Sequence, residues 1–393
     1  MYRITVFAVF YIVATHGLAA SDSVGWRSDG DGRYLRAVPP TSWSTAHNVA
    51  WKTAMPSWSN ASPVLLTDDS LIFVCSEPDQ LLAIDRDSGQ IAWQQSVADV
   101  DQGSKVSTHN ANGYTSTTPV TDGQRIFTLF GSGVVAAHTV QGERLWARVV
   151  ERPQHGWGHS ASPALGGGRL IVHITDLIGL DPATGAEVWR AQSEEKFGSP
   201  VFTAIDSTDI VITPVGDVFR AVDGHRLAGG IGKLEFATPV VQDGVVYFIE
   251  KKATAVKLPT AIGESFNSQE LWVARIEGSR HYTSSIIHHG LVYALSREEK
   301  FTILDAATGD VVYQRALDLG ERAGSNSAYA SITLAGDKLF IGAENGTMVV
   351  LETGRAYKEI ARNNVEGFRS SPVFEQDRMY LRAFDYLYCF VRE

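Results

Sequence analysis

Short apolar runs bounded by Gly, Asp or Asn recur along the whole chain. Examples are DSLIFVCS at 69–76, GVVYFIE at 244–250 and DKLFIGA at 337–343. They are rich in β-branched and aromatic residues, and no stretch keeps an apolar period of 3.6 residues. The pattern predicts an all-β protein made of short strands.

One hairpin is written repeatedly: AIDRDSGQIAW at 83–93, GLDPATGAEVW at 179–189 and ILDAATGDVVY at 303–313. Gly89, Gly142, Gly185 and Gly309 stand where the chain must reverse, a place where glycine accepts positive φ without steric cost. An aromatic ring follows four residues later, as Trp93, Trp146, Trp189 or Tyr313. Such a ring on an outer strand covers the seam to the next sheet. Trp272 takes the same part after an insertion, PTAIGESFNSQE at 259–270. The fourth and seventh versions, AVDGHRLAGG and VLETGRAYKEI, keep the turn but lack the Trp, so their seams are expected to be the loosest.

The hairpin ends a longer unit that opens on Ser/Thr-Pro and an apolar strand. Its starts are ASPVLL at 61, TTPVTD at 117, ASPALG at 161, GSPVFT at 198, ATPVVQ at 237, SSIIHH at 284, ASITLA at 330 and SSPVFE at 370. A spacing of roughly 37 to 56 residues between them fits a four-stranded propeller blade. The fold predicted is an eight-bladed β-propeller over residues 48–393. The eighth unit has only three strands, and NVAWKTA at 48–54, with Trp51, is expected to complete it and close the ring.

Composition narrows the picture. The chain has 393 residues, 36 glycines, 14 prolines and a formal charge of −10, with both signs interspersed. That balance excludes a nucleic-acid groove and disfavours an anionic membrane surface as the main partner. The first residues combine Arg3, an apolar run from Ile4 to Ala14 and small residues near Ala19, the pattern of a cleavable export segment over 1–20. Residues 21–47 then read as an N-terminal extension, and the mature chain as a periplasmic or secreted monomer without a transmembrane span. Cys75 and Cys389 both sit in apolar runs. They read either as small buried hydrophobes or as a bridge between the chain's ends.

The hairpins AIDRDSGQIAW and GLDPATGAEVW resemble the tryptophan-docking repeat of pyrroloquinoline-quinone (PQQ) type β-propellers, and the resemblance covers residues 48–393. The stretches NGYTSTTPVTDGQRIFTLFGSGVVAAHTVQGERLW and HGWGHSASPALGGGRLIV resemble exported PQQ-like repeat proteins of bacteria. The smaller eight-bladed BamB propeller, which supports outer-membrane protein assembly, is a more distant likeness whose lipid-anchor cysteine is missing here. This repeat serves both quinoprotein dehydrogenases and non-enzymatic scaffolds. The dehydrogenases carry an adjacent cysteine pair, calcium ligands and a catalytic aspartate. No Cys-Cys occurs in this chain, and the other groups match no motif in it. The resemblance therefore implies a binding or protein-interaction scaffold with no catalytic residues, cofactor or metal. The alternative is quinone-dependent oxidation with PQQ and calcium, or carbohydrate-directed chemistry.

Other catalytic signatures fail on their own terms. GHSAS at 158–162 lacks the second glycine of a nucleophile elbow, and DRDSG at 85–89 lacks the remainder of a calcium loop. Topology supplies a better candidate. Residues just before each Ser/Thr-Pro enter the innermost strand and so surround the mouth of the central channel. They include His109, Asn112, Tyr114, His155, Trp157, His159, Lys196, Phe197, Arg280, His281, Tyr282, Asn326, Tyr329 and Arg369. Four of the eleven histidines fall at this level. Two readings stand: a hydrated rim that satisfies loop backbones, or a site for a protein partner, a small molecule or a carbohydrate.

Overall fold

A computed structural model describes residues 24–66, 70–100, 106–320 and 327–392. The export segment read at 1–20 and the rim candidate Asn326 lie outside the described residues. Among the described residues there is no helix, and eight sheets follow one another along the chain. Blade 1 consists of Val64–Leu65, Leu71–Ser76, Gln80–Asp85 and Ile91–Ser96, paired in that order. Blades 2 to 7 repeat the meander over residues 120–149, 164–191, 201–228, 240–275, 286–316 and 333–364. Blade 8 takes three strands from the C-terminus, and Val49–Ala54 pairs antiparallel with Tyr386–Val391 as its outermost strand. First strands of neighbouring blades touch, so they line the channel.

The Ser/Thr that opens each unit has a structural reason. The backbone N–H of Ser62 donates to Thr118 Oγ1, and the same bond passes from blade to blade through Ser162, Ser199, Thr238, Ser284, Ser331 and Ser371. Ser371 N–H then returns to Ser62 Oγ, closing a circle of eight bonds of 2.9–3.0 Å. Each innermost strand thus satisfies an N–H that no ladder partner reaches.

The hairpin glycine also has a second reason besides its positive φ. Trp146 lies against Gly185 of the next blade, where a Cβ would come within 2.5 Å of the indole. Its Nε1 donates to Pro182 O at 3.1 Å. Trp51, Trp93, Trp189 and Trp272 dock in the same way, their Nε1 atoms donating to carbonyls of Arg86, Val140, Ala221 and Ala306 at 2.9–3.0 Å. Tyr313 packs half-buried into the core between blades 6 and 7.

The two seams with neither the repeat Trp nor a Tyr in its place are filled from outside the repeat rather than left loose. Between blades 4 and 5, Ile262 and Phe266 of the insertion pack with Leu227 against Val218, Val256 and Leu258. Between blades 7 and 8 the N-terminal extension delivers Trp43, stacked on Phe340 at 6.1 Å and tilted against Phe390 at 5.6 Å. Its backbone N–H donates to Asn363 Oδ1 at 2.8 Å. Cys75 and Cys389 are separate buried thiols, and burial pushes both up to about 12.

The extension crosses the channel end where the first strands finish. Val24 exchanges hydrogen bonds with Thr121 of blade 2, and Arg33–Tyr34 runs parallel to Leu334 and Ala335 of blade 7. Arg33 reaches Gln242 of blade 5, and Val38 N–H donates to Gln376 O of blade 8.

Candidate functional site

At the other end, among the loops that lead into the innermost strands, a cavity of about 610 Å³ runs along the channel. Its lower wall carries ring members Ser62, Thr118, Ser199, Thr238, Ser284, Ser331 and Ser371, together with Trp26 of the extension. Two residues before each ring hydroxyl stands a second circle: Asn60, Ser116, Ser160, Phe197, Phe236, Tyr282, Tyr329 and Arg369, all on the cavity wall. The fixed offset follows from the repeat, since an extended segment places residues two apart on the same side. Blades 1 to 3 supply small polar groups and blades 4 to 7 supply rings. Blade 8 supplies the cation.

The rings touch in series. His155 meets Phe197 edge-on at 5.2 Å, Phe197 stacks on Phe236 at 5.7 Å, and Phe236 meets Tyr282 edge-on at 4.9 Å. Tyr282 and Tyr329 lie nearly parallel at 4.9 Å. The Arg369 guanidinium covers Tyr329 at 4.6 Å, and that of Arg280 lies 5.6 Å from Phe236. Such an arc offers ring faces for stacking and cation edges for a carboxylate.

Carboxylates set beneath the loops hold the arc in place. Glu250 Oε1 accepts N–H bonds from Glu235, Phe236 and Ala237 at 2.8–3.0 Å. Burial still leaves its pKa above the ordinary carboxylate range. Glu77 does the same for Tyr114 and Thr115 of the next blade, at 2.7 and 2.6 Å. Arg369 pairs with Glu344 at 2.6 Å, and Lys196 pairs with Glu235 at 2.8 Å and Glu194 at 2.7 Å. Arg280 has no ion-pair partner among the described residues; it donates to Tyr282 Oη at 3.2 Å.

Several rim candidates lie elsewhere. His159 and His281 are buried, three residues before the ring hydroxyls of their blades, on the side of the strand that faces the blade body. His159 Nε2 contacts Ala161 O at 2.9 Å, and burial holds both imidazoles down to about 4. These two of the four histidines at the level of the mouth therefore do not line the cavity. Tyr114 donates its hydroxyl to Val106 O at 2.6 Å, while His109 covers the Trp157 ring at 3.7 Å; neither lines the cavity. Lys196 is drawn off the wall by its two carboxylates. Trp157 is half exposed at the lip beside His155. Conversely, Phe236, Asn60, Ser116, Ser160 and Arg297 line the cavity without having stood out in sequence, although all but Arg297 obey the two-residue offset.

Glu235 is the one carboxylate lining the cavity among the described residues, and Lys196 holds it. No three His, Cys, Asp or Glu side chains among the described residues converge to hold a metal.

Eight four-stranded blades, five of them docked to the next by a repeat Trp, and a closed circle of hydroxyls define a β-propeller of the PQQ-repeat class. More specifically, the chain belongs to the PQQ_2 family, described as outer membrane protein assembly factor BamB, which matches residues 18–315 and 131–393. It is 24% identical over 353 residues to the outer membrane protein assembly factor BamB of Moranella endobia (strain PCIT), with 83% of each chain covered. BamB from Moraxella catarrhalis shares the fold with a TM-score of 0.65 at 15% identity, over 88% of this chain and 99% of that one. The quinohemoprotein alcohol dehydrogenase of Comamonas testosteroni does so with a TM-score of 0.59 at 12% identity, over 91% and 78%.

Proposed function

We propose that this protein is a non-catalytic scaffold of the periplasm or cell exterior that captures a segment of a partner protein at the channel mouth. The observation that carries the reading is the arc from His155 through Phe197, Phe236, Tyr282 and Tyr329 to Arg369, built from six consecutive blades. Stacked rings bury area at small entropic cost, and Arg280, without an ion-pair partner among the described residues, adds a cation for a polar or acidic group. Membership of a family described as an assembly factor supports an interaction role over chemistry. Among the described residues the one carboxylate on the wall, Glu235, is held by Lys196, which favours binding over proton transfer there.

The test is a photo-crosslinking residue placed at Tyr282 in the native host, with the adduct identified by mass spectrometry. A single protein adduct, lost when Phe236→Ala is added, is expected. Adducts formed only from outer-strand positions such as Val311 would overturn the reading. Titration of purified protein with PQQ and calcium is expected to leave the quinone spectrum unchanged; saturable binding with alcohol oxidation would favour the dehydrogenase alternative.

A further inference from the structure

Below the aromatic arc the cavity changes character. Each of the eight ring hydroxyls accepts an N–H from the preceding blade, and none has an acceptor for its own proton among the described residues. A serine or threonine hydroxyl carries one donor proton. The N–H donated into its oxygen polarises the O–H outward. Seven of these hydroxyl residues line the cavity, and among the described residues the one carboxylate on its wall is Glu235, three residues before Thr238 and held by Lys196. The circle is thus a belt of donors around one axis.

A cation sits at the underside of the belt. Arg27, from the extension, is buried, and its Nη2 donates at 2.9 Å to both Ser285 O and Ile332 O. Each of those residues directly follows a ring member, Ser284 or Ser331. Arg27 Nε and Nη1 have no partner among the described residues. The guanidinium carbon is 5.2 Å from the centroid of Trp26, whose ring lines the cavity. Asp29 and Asp31 act on Arg27 only through space: Asp29 accepts the N–H of Asp31 at 3.1 Å, and Asp31 is taken up by Arg33 at 2.5 Å. Burial brings Arg27 down only to about 10, so it stays charged at neutral pH. A buried charge without a paired anion is costly, and a bound oxyanion would offset that cost.

We propose that the lower cup is an oxyanion site, taking a carboxylate or phosphate group that enters through the mouth and meets the hydroxyl belt above Arg27. The inference shares its entrance with the proposed partner site but does not depend on the partner. A small anion needs only the lumen.

Calorimetric titration of the full chain with inorganic phosphate and, separately, with succinate tests it. Saturable binding of at least one anion is expected, weakened at least tenfold in Arg27→Gln and severalfold in Thr238→Val, which lies away from the Arg27 contacts. Phosphate alone would assign the cup to phosphoryl groups and succinate alone to carboxylates; both results support the site. Phe236→Ala should leave anion binding intact while abolishing the partner adduct, so the two readings fail separately. If neither anion binds, or if folded Thr238→Val and Arg27→Gln proteins bind as tightly as the parent, the site is refuted. Should Arg27→Gln fail to fold, Thr238→Val decides alone.

Discussion

At the scale of single residues, position within the repeat decides role more than chemical type does. His281 and Tyr282 are neighbours, yet one is locked in the blade and the other lines the cup. The buried imidazoles carry a pH signature. His138, under Trp93 at 6.4 Å, has no partner for either ring nitrogen among the described residues, and burial pushes its pKa from 6.5 down to about 4. His159 and His281 are depressed to about 4 by the same cause. The folded state therefore binds fewer protons than the unfolded chain between pH 4 and 6.5. Stability from these groups is complete above about pH 6.5 and declines as the pH falls through the window toward about 4, at about 1.4 kcal/mol per unit for each group. His138→Phe should keep the stacking and remove one proton equivalent from that slope. Denaturant melts at pH 5 and pH 7 check it; an unchanged slope would mean that His138 titrates normally.

At the scale of elements, the regular part of the chain was readable in advance because each blade needs the same few residues. Gly185 must both turn and leave room for Trp146, so the pair stays visible in sequence. The fillers of the two defective seams were not readable. Ile262, Phe266 and Trp43 lie outside the repeat, and nothing local to them signals which gap they fill. The aromatic arc falls between these cases: its offset of two from the ring hydroxyl is regular, but Phe236 looks like any buried phenylalanine until the hydroxyls are seen as a circle. Trp43→Ala should cost roughly 3–5 kcal/mol, a loss comparable to that of Trp272→Ala, because both empty a seam of an indole. Equilibrium unfolding of the two variants measures it. A loss under about 1 kcal/mol for Trp43→Ala would show that the blade 7 to blade 8 seam closes without it.

The carboxylates beneath the loops make a second element-scale expectation. Glu250 gathers three consecutive N–H groups, including that of Phe236, and a neutral amide cannot match a carboxylate in charge-assisted bonds. Glu250→Gln should leave the blades folded, weaken capture at the mouth several-fold and lower stability by about 1–3 kcal/mol. Melting together with crosslinking yield at Tyr282 separates the two effects. Unchanged yield would make Glu250 a purely structural support.

At the scale of the molecule, the extension and the closing strand do different work although they are contiguous. Residues 24–36 cross one end of the channel, whereas Val49–Ala54 completes blade 8 through a ladder from Val49–Phe390 to Ala54–Tyr386. Closure is also written in the circle itself, since Ser371 N–H returns to Ser62 Oγ at 2.9 Å. Removing residues 24–36 spares Trp43, the ladder and the circle. That chain should stay monomeric with a modest drop in melting temperature, and the channel end that the extension crosses should be uncovered. Removing residues 24–56 strips Tyr386–Val391 of its outer partner and leaves an unpaired edge, the arrangement that propellers avoid by closing. This second chain should elute as aggregate or fail to melt cooperatively. Size-exclusion chromatography and thermal melts of both truncations make the comparison. If the longer truncation stays monomeric and melts like the parent, ring closure rests on the packing of the innermost strands and not on the borrowed strand.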